Sequence, residues 1–248
     1  EKKLSPERAS LEVDKPAPIQ RSLFFGYRFE DINTYGTPTL SPQDRQFLAI
    51  HISAPSASFA RDARDNAIDP TRGTFFSTDL EWSTSLLGSE TDYLKSFSWA
   101  QYYHPFGRTV VATSFRLGLA EGFRKTVEIP ISQRFFAGGG RTIRGFALDT
   151  AGPLDENGEP LGGNMMYILN LENRFPIYKS LGGLVFFDWG NVFPLINDFT
   201  LSGLRETTGL GLRYKTAIGP VIFDWGYKLD RQPGESAYEF YLSIGNTF

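Results

Sequence analysis

Two unlike kinds of side chain alternate along segment after segment of this chain, and a period of two confines it to strands with two different faces. In "VIFDWGYKL", Val221, Phe223, Trp225, Tyr227 and Leu229 fall on one side, with Ile222, Asp224, Gly226 and Lys228 on the other. "TFFSTDLEWSTSL" sets Phe76, Leu80, Trp82 and Leu86, with Thr78 and Thr84 in the same row, against Ser77, Asp79, Glu81, Ser83 and Ser85. Two acids and three serines make a poor protein core. "NMMYILNLENRF" places Met165, Tyr167, Leu169, Leu171 and Phe175 opposite Asn170, Glu172 and Arg174, and "LGLRYKTAI" places Leu210, Leu212 and Tyr214 opposite Arg213 and Lys215. The closing "YEFYLSIGNTF" carries an apolar row of Tyr238, Phe240, Leu242, Ile244 and Phe248. The pattern predicts about ten strands, near 22–33, 46–65, 74–87, 92–105, 108–121, 163–176, 183–194, 206–217, 220–229 and 238–248. Residues 1–20, charged and with no clear period, read as a lead-in to a strand domain over 21–248.

The connections add a second constraint. Counted back from the C-terminus, every second one is compact and made of turn residues: "AIGP" at 217–220, "PIYKSLGG" at 176–183, "HPFG" at 104–107 and the longer "NAIDPTRG" at 66–73. Most of the others are longer, led by residues 123–163; "LGSETDY" at 87–93 is the brief exception. Short turns at one end and long loops at the other are the asymmetry of an outer-membrane barrel. A soluble antiparallel sandwich or barrel acting as a binding module would also alternate, with its apolar face turned inward. Composition and the placement of aromatic residues favour the membrane barrel over the soluble one. Aromatic residues make up 15% of the chain while the mean hydropathy is only −0.25, as expected of a barrel with an apolar outside and a wet inside. Phe175, Tyr178, Trp189 and Phe193 sit near strand ends, where aromatic girdles lie. The fold expected is therefore an all-β, antiparallel transmembrane barrel.

Several function classes are disfavoured. With 25 Lys and Arg against 28 Asp and Glu, and a net charge of −3, the chain lacks the basic field that a nucleic-acid partner needs. It has no cysteine for disulfides or thiolate metal sites. His51 and His104, its two histidines, belong to no Ser-His-Asp order, and His104 is expected just before a Pro in a short turn. In "RDARDN", Asp62 and Asp65 are interleaved with Arg61 and Arg64 rather than spaced as in a calcium loop, so this stretch and Asp69 read as a strand end and charged turn. No enzyme activity, metal or other cofactor is expected.

"FFAGGGRTIRGF" at 135–146 invites a nucleotide reading, which fails on its parts. Gly140 and Gly145 have the outer spacing of a phosphate loop, but Phe146 stands where the Lys must be. A dinucleotide fingerprint would need a third Gly at Ile143 and a helix after it.

"RTIRGF" resembles instead the sixth extracellular loop motif of the Omp85 superfamily, usually Val/Ile-Arg-Gly-Phe/Tyr. The resemblance extends through "RDARDNAIDPTRG" at 61–73, "LENRFPI" at 171–177, "FFDWGNVF" at 186–193, "GLGLRYKTAIGPVIFDWGY" at 209–227 and the closing "YLSIGNTF". It covers most of residues 59–248 in the family's order. It implies that the long loop folds back into its own barrel, with Arg144 paired to acids on the inner wall. Glu172 and Asp188 have the right parity for that role. Gly138, Gly139 and Gly140 would let the chain reverse, Gly145 would allow close approach or positive φ, and Phe146 would pack on the inner wall. Tyr238, Phe240, Leu242 and Phe248 resemble a C-terminal assembly signal.

The family also implies about sixteen strands, so that ten would be the C-terminal part of a barrel, with periplasmic POTRA domains ahead of it. Within the superfamily the chain resembles the BamA and TamA assembly factors. They insert and fold outer-membrane proteins through a lateral seam, in the outer membrane of Gram-negative bacteria. Implied partners are membrane lipids, unfolded barrel clients and accessory lipoproteins or periplasmic proteins. A two-partner-secretion export porin and a passive porin are the alternatives.

Overall fold

A computed structural model describes residues 19–33, 49–126, 128–217 and 219–245. Ten strands follow one another in one sheet in chain order: β1 (Gln20–Asn33), β2 (Ala49–Asp62), β3 (Gly73–Ser83), β4 (Tyr93–Phe106), β5 (Thr109–Gly122), β6 (Met165–Tyr178), β7 (Leu181–Phe193), β8 (Arg205–Thr216), β9 (Gly219–Lys228) and β10 (Tyr238–Ile244). Every neighbouring pair is antiparallel. At 14 residues each, β1 and β2 exceed the roughly 9–11 that a tilted strand needs to cross a bilayer. Among the described residues β1 pairs only with β2 and β10 only with β9, so the sheet keeps two edges and is not closed. The lead-in expected over 1–20 lies, apart from its last two residues, outside the described residues, as does Phe248.

The strands depart from the sequence reading where local bonding competes with the ladder. β3 stops at Ser83 rather than continuing to residue 87, because Thr84 caps a 3-10 turn at Ser85–Leu87 and the Asp92 carboxylate accepts from the Ser85 N–H (2.8 Å) and the Thr84 hydroxyl (3.0 Å). Leu86 therefore leaves the apolar row. His104 is not in a turn: β4 runs through Phe106, and Gly107, at φ +61°, opens the connection to β5. β6 likewise continues to Tyr178, and Lys179 turns the chain at φ +48°.

The charged segment after β2 is a braced turn. Arg64 forks onto Asp62 (2.9 and 2.7 Å), Lys215 meets Asp69 (2.7 Å), and Asp65 accepts from the N–H groups of Asn66, Thr71 and Arg72 and from the Thr71 hydroxyl. Partial burial pushes the Asp65 carboxyl upward, but these donors outweigh it and hold it below the usual carboxylate range. A lowered folded value means the stabilisation is present at neutral pH and is lost as pH falls through that value. Asp65→Ala is expected to loosen residues 66–72 by about 1–3 kcal/mol. Amide exchange of that segment, compared with the strand core, measures it.

The inner face of the sheet carries an apolar zone on β2 and β5–β7 and a charged zone on β6–β9. Towards the long-loop end it is apolar, with Ile50, Ile52, Ala54, Ala120, Met166, Ile168 and Val192 buried beneath Ile129, Phe135, Ala137, Ile143, Phe146 and Ala151 of the long loop. Further along it carries charge: Asn170, Glu172 and Arg174 on β6, Asp188 on β7, Arg213 on β8 and Asp224 on β9, all buried. The opposite row of β10 is exposed and apolar, with Tyr238 at 52%, Phe240 at 57% and Leu242 at 75%, which is the face that meets lipid.

Candidate functional site

The tip of the long loop is a self-braced turn. Gly138, at φ +118°, donates its N–H to the Thr142 hydroxyl (2.8 Å), which donates back to the Gly138 carbonyl (2.8 Å). The Gly139 N–H closes the turn on the Phe146 carbonyl (3.0 Å). Gly138 and Gly139 have positive φ; Gly140 does not, and differs from the sequence expectation of a hinge. Its need is for space, since a Cβ there would stand 3.2 Å from the Tyr241 ring.

This turn delivers Arg144 to the charged zone, where it is only 1% exposed. The guanidinium forks onto Asp188, Nε to Oδ2 at 2.8 Å and Nη2 to Oδ1 at 2.7 Å, and the Arg144 backbone N–H reaches the same carboxylate at 3.0 Å. Nη1 donates to Glu172 (2.6 Å) and, more weakly, to Asp224 (3.4 Å). The Phe186 ring covers one face of the guanidinium at 3.5 Å. Only a planar fork of donors satisfies acids on three strands at once; the point charge of Lys cannot.

A wider frame holds the acids. Glu172 also accepts from Arg174 Nε (2.7 Å) and Arg213 Nη2 (3.2 Å), whereas Asp188 has Asn170 Nδ2 (2.9 Å) beside Arg144. Asn170 donates as well to the Thr142 carbonyl of the loop (2.7 Å), tying the turn to β6. Phe146, buried, lies between two cations, with Arg205 Cζ and Lys228 Nζ each 4.6 Å from its ring centre. Arg205 is itself held by Asp230 (2.6 Å) and Glu235 (2.8 Å), residues of the β9–β10 connection. Arg141 remains exposed.

Close approach depends on glycine on both sides. Gly145 has φ +99°. Beneath it, a Cβ on Gly226 of β9 would lie 2.8 Å from the Arg144 carbonyl carbon and closer still to the Gly145 nitrogen. The Gly145 N–H donates to the Tyr241 hydroxyl (2.7 Å), which donates in turn to the Phe146 carbonyl (2.7 Å).

The structure thus brings Arg144, Gly145, Phe146, Glu172 and Asp188 together. It adds Asp224, Asn170, Gly226 and Tyr241, which sequence reasoning did not single out. The tetrapeptide "FDWG" occurs twice, at 187–190 and 223–226, and each copy turns an Asp and a Gly inward. That repetition was the available signal for Asp224 and Gly226. Tyr238, Phe240 and Leu242 lie on the outward row of β10, away from the loop.

The sequence profile of the Omp85 superfamily domain matches residues 15–248. The chain is 31% identical over 235 residues to the outer membrane protein assembly factor BamA of Nitratidesulfovibrio vulgaris, covering 90% of this chain and 29% of that protein. It is 26% identical over 227 residues to that of Neisseria meningitidis serogroup B, covering 78% and 28%. The fold is similar to the crystal structure of BamA from Haemophilus ducreyi lacking POTRA domains 1–3, with TM-score 0.64 and 22% identity over 79% of this chain and 42% of that one. The chain therefore spans less than a third of the length of these two curated relatives. A profile match over nearly all its residues, together with these relatives, settles its kinship: the chain, an open ten-stranded antiparallel sheet, belongs to the Omp85 superfamily of outer-membrane β-barrel proteins.

Proposed function

We propose that this barrel serves the insertion and folding of other outer-membrane β-barrel proteins, with the free edge of β10 as template for a client strand. One observation carries the reading: β10 is bonded on one side only, by a seven-residue ladder that runs from Tyr238 opposite Tyr227 to Ile244 opposite Val221, while its far edge has no partner among the described residues. An unpaired strand edge at membrane depth is costly, so an incoming strand finds donors and acceptors already aligned. The names of the relatives as assembly factors support the same reading. The reaction is an exchange of hydrogen-bond partners that calls for no covalent step or cofactor. Clients, lipid, periplasmic domains and accessory lipoproteins are its proposed partners. A pore would want an open interior, and here the long loop covers the inner face.

The full-length protein, reconstituted into lipid vesicles, is expected to speed the folding of an added unfolded barrel protein. Steady ion conductance without that acceleration would favour the pore.

A second expectation concerns the assembly of the protein itself. Leu242→Arg puts a charge on the lipid-facing row of β10 at a cost of up to about 2–4 kcal/mol, depending on depth. Membrane yield should fall markedly; normal yield would contradict the outward assignment.

A further inference from the structure

Among inward-facing residues of β10, Tyr241 reaches the loop tip. Its hydroxyl accepts from the Gly145 N–H and donates to the Phe146 carbonyl, both at 2.7 Å, so one oxygen meets two consecutive residues of the motif. Its ring lies against Gly140, where a Cβ would be at 3.2 Å. Both partners are backbone groups in a largely water-excluded place, and a backbone N–H there needs an acceptor. No other residue of β10 is bonded to the loop tip among the described contacts; Glu239, its inward neighbour, accepts from Ser236 instead.

The consequence follows from the topology. β10 is held in the sheet by β9 alone. The loop tip is held by β6, β7 and β9 through Asn170, Glu172, Asp188 and Asp224. Tyr241 joins these two assemblies, so β10 has a second attachment that bypasses its own ladder and runs through the loop to strands three and four places away. To swing β10 off β9, both Tyr241 bonds must break. To withdraw the loop, the same two bonds must break.

We propose that the Tyr241 hydroxyl couples the loop tip to the β10 edge, so that a docked loop holds the edge strand in place and a released loop frees it. The inference deepens the assembly reading, since it names what regulates the edge to which a client would add, and it makes Tyr241 a positioning residue rather than one that touches the client. Phenylalanine keeps the ring and its contact with Gly140 while removing the oxygen.

The test is hydrogen exchange on the full-length protein in lipid nanodiscs, read separately for the loop tip (138–146) and for β10. Local opening sets the exchange rate, so a lost tie appears as faster exchange in the segment it held. Tyr241→Phe is expected to raise exchange about tenfold in both segments, from two neutral hydrogen bonds of ordinary strength. Arg144→Lys, which loosens the loop without touching β10, should raise β10 exchange too while leaving β4 and β5 unchanged. Faster exchange in the loop alone, in either variant, overturns the coupling; unchanged exchange in both segments of Tyr241→Phe overturns it as well. Neither readout uses a client. Coupling with no acceleration of client folding would therefore sink the assembly reading and leave this one standing, and the reverse pattern would do the opposite.

Discussion

Arg144→Ala is expected to release the loop tip and turn residues 123–163 into a protease-sensitive segment. The reason lies in what stays behind. Glu172 would retain Arg174 and Arg213, but Asp188 would lose its only guanidinium fork and keep just Asn170 and the backbone N–H of residue 144, and Asp224, whose Oδ1 has no hydrogen-bond partner among the described residues, would lose its Arg144 contact. Removing one member of a buried, hydrogen-bonded charge group costs about 3–5 kcal/mol, because the carboxylates remain out of water without their counterion. The loop is the part free to move, so the loss should appear as loop opening and solvation of the acids, with the strand ladder intact. Limited proteolysis of the folded barrel measures it. Resistance of 123–163 equal to that of the parent protein would show that the apolar contacts of Ile129, Ile143 and Phe146 hold the loop without the ion cluster.

Gly226→Ala is expected to have an effect of similar size by a steric route. The added methyl would meet backbone atoms of Arg144 and Gly145, which cannot rotate aside as a side chain could. Overpacking against a well-packed site costs about 1–3 kcal/mol. Here the loop would have to move away by enough to lengthen the Arg144 hydrogen bonds as well. The substitution leaves every charge in place and introduces no polar group. Loop proteolysis matching that of Arg144→Ala would therefore identify docking geometry, and not charge alone, as what holds the tip. An unchanged cleavage pattern would mean that β9 yields instead.

These two cases show what could be read from the sequence. Alternation placed the ten strands and the inward parity of Glu172, Asp188 and Asp224, because one residue of slip would have put acids into lipid. It could not say which inward residues meet. Tyr241 and Gly145 are 96 positions apart, and no local pattern relates a strand tyrosine to the backbone of a loop. Glu172 and Asp188 were named as partners of Arg144 through resemblance, whereas Asp224 was placed only on a polar face although it repeats the "FDWG" of Asp188. Gly140 failed for a different reason: a glycine run reads as flexibility, and the need for space against Tyr241 is visible only in three dimensions. At residues 84–87, Thr84 and Asp92 offered the backbone a turn that competed with an alternation still legible in the sequence.

The central claim is that a client strand pairs with the outer edge of β10, and cross-linking tests it most directly. The chain has no cysteine, so a single one introduced by Leu242→Cys is the sole thiol it contributes. Client proteins carrying one cysteine each, stepped along their last strand, would be arrested during assembly by the full-length protein and oxidised. Strand pairing predicts a disulfide at one register and its near neighbours on the same face, since only Cβ atoms about 3.5–4.5 Å apart can be bridged. A client that folds faster in the presence of the protein yet forms no such disulfide at any register would contradict the account.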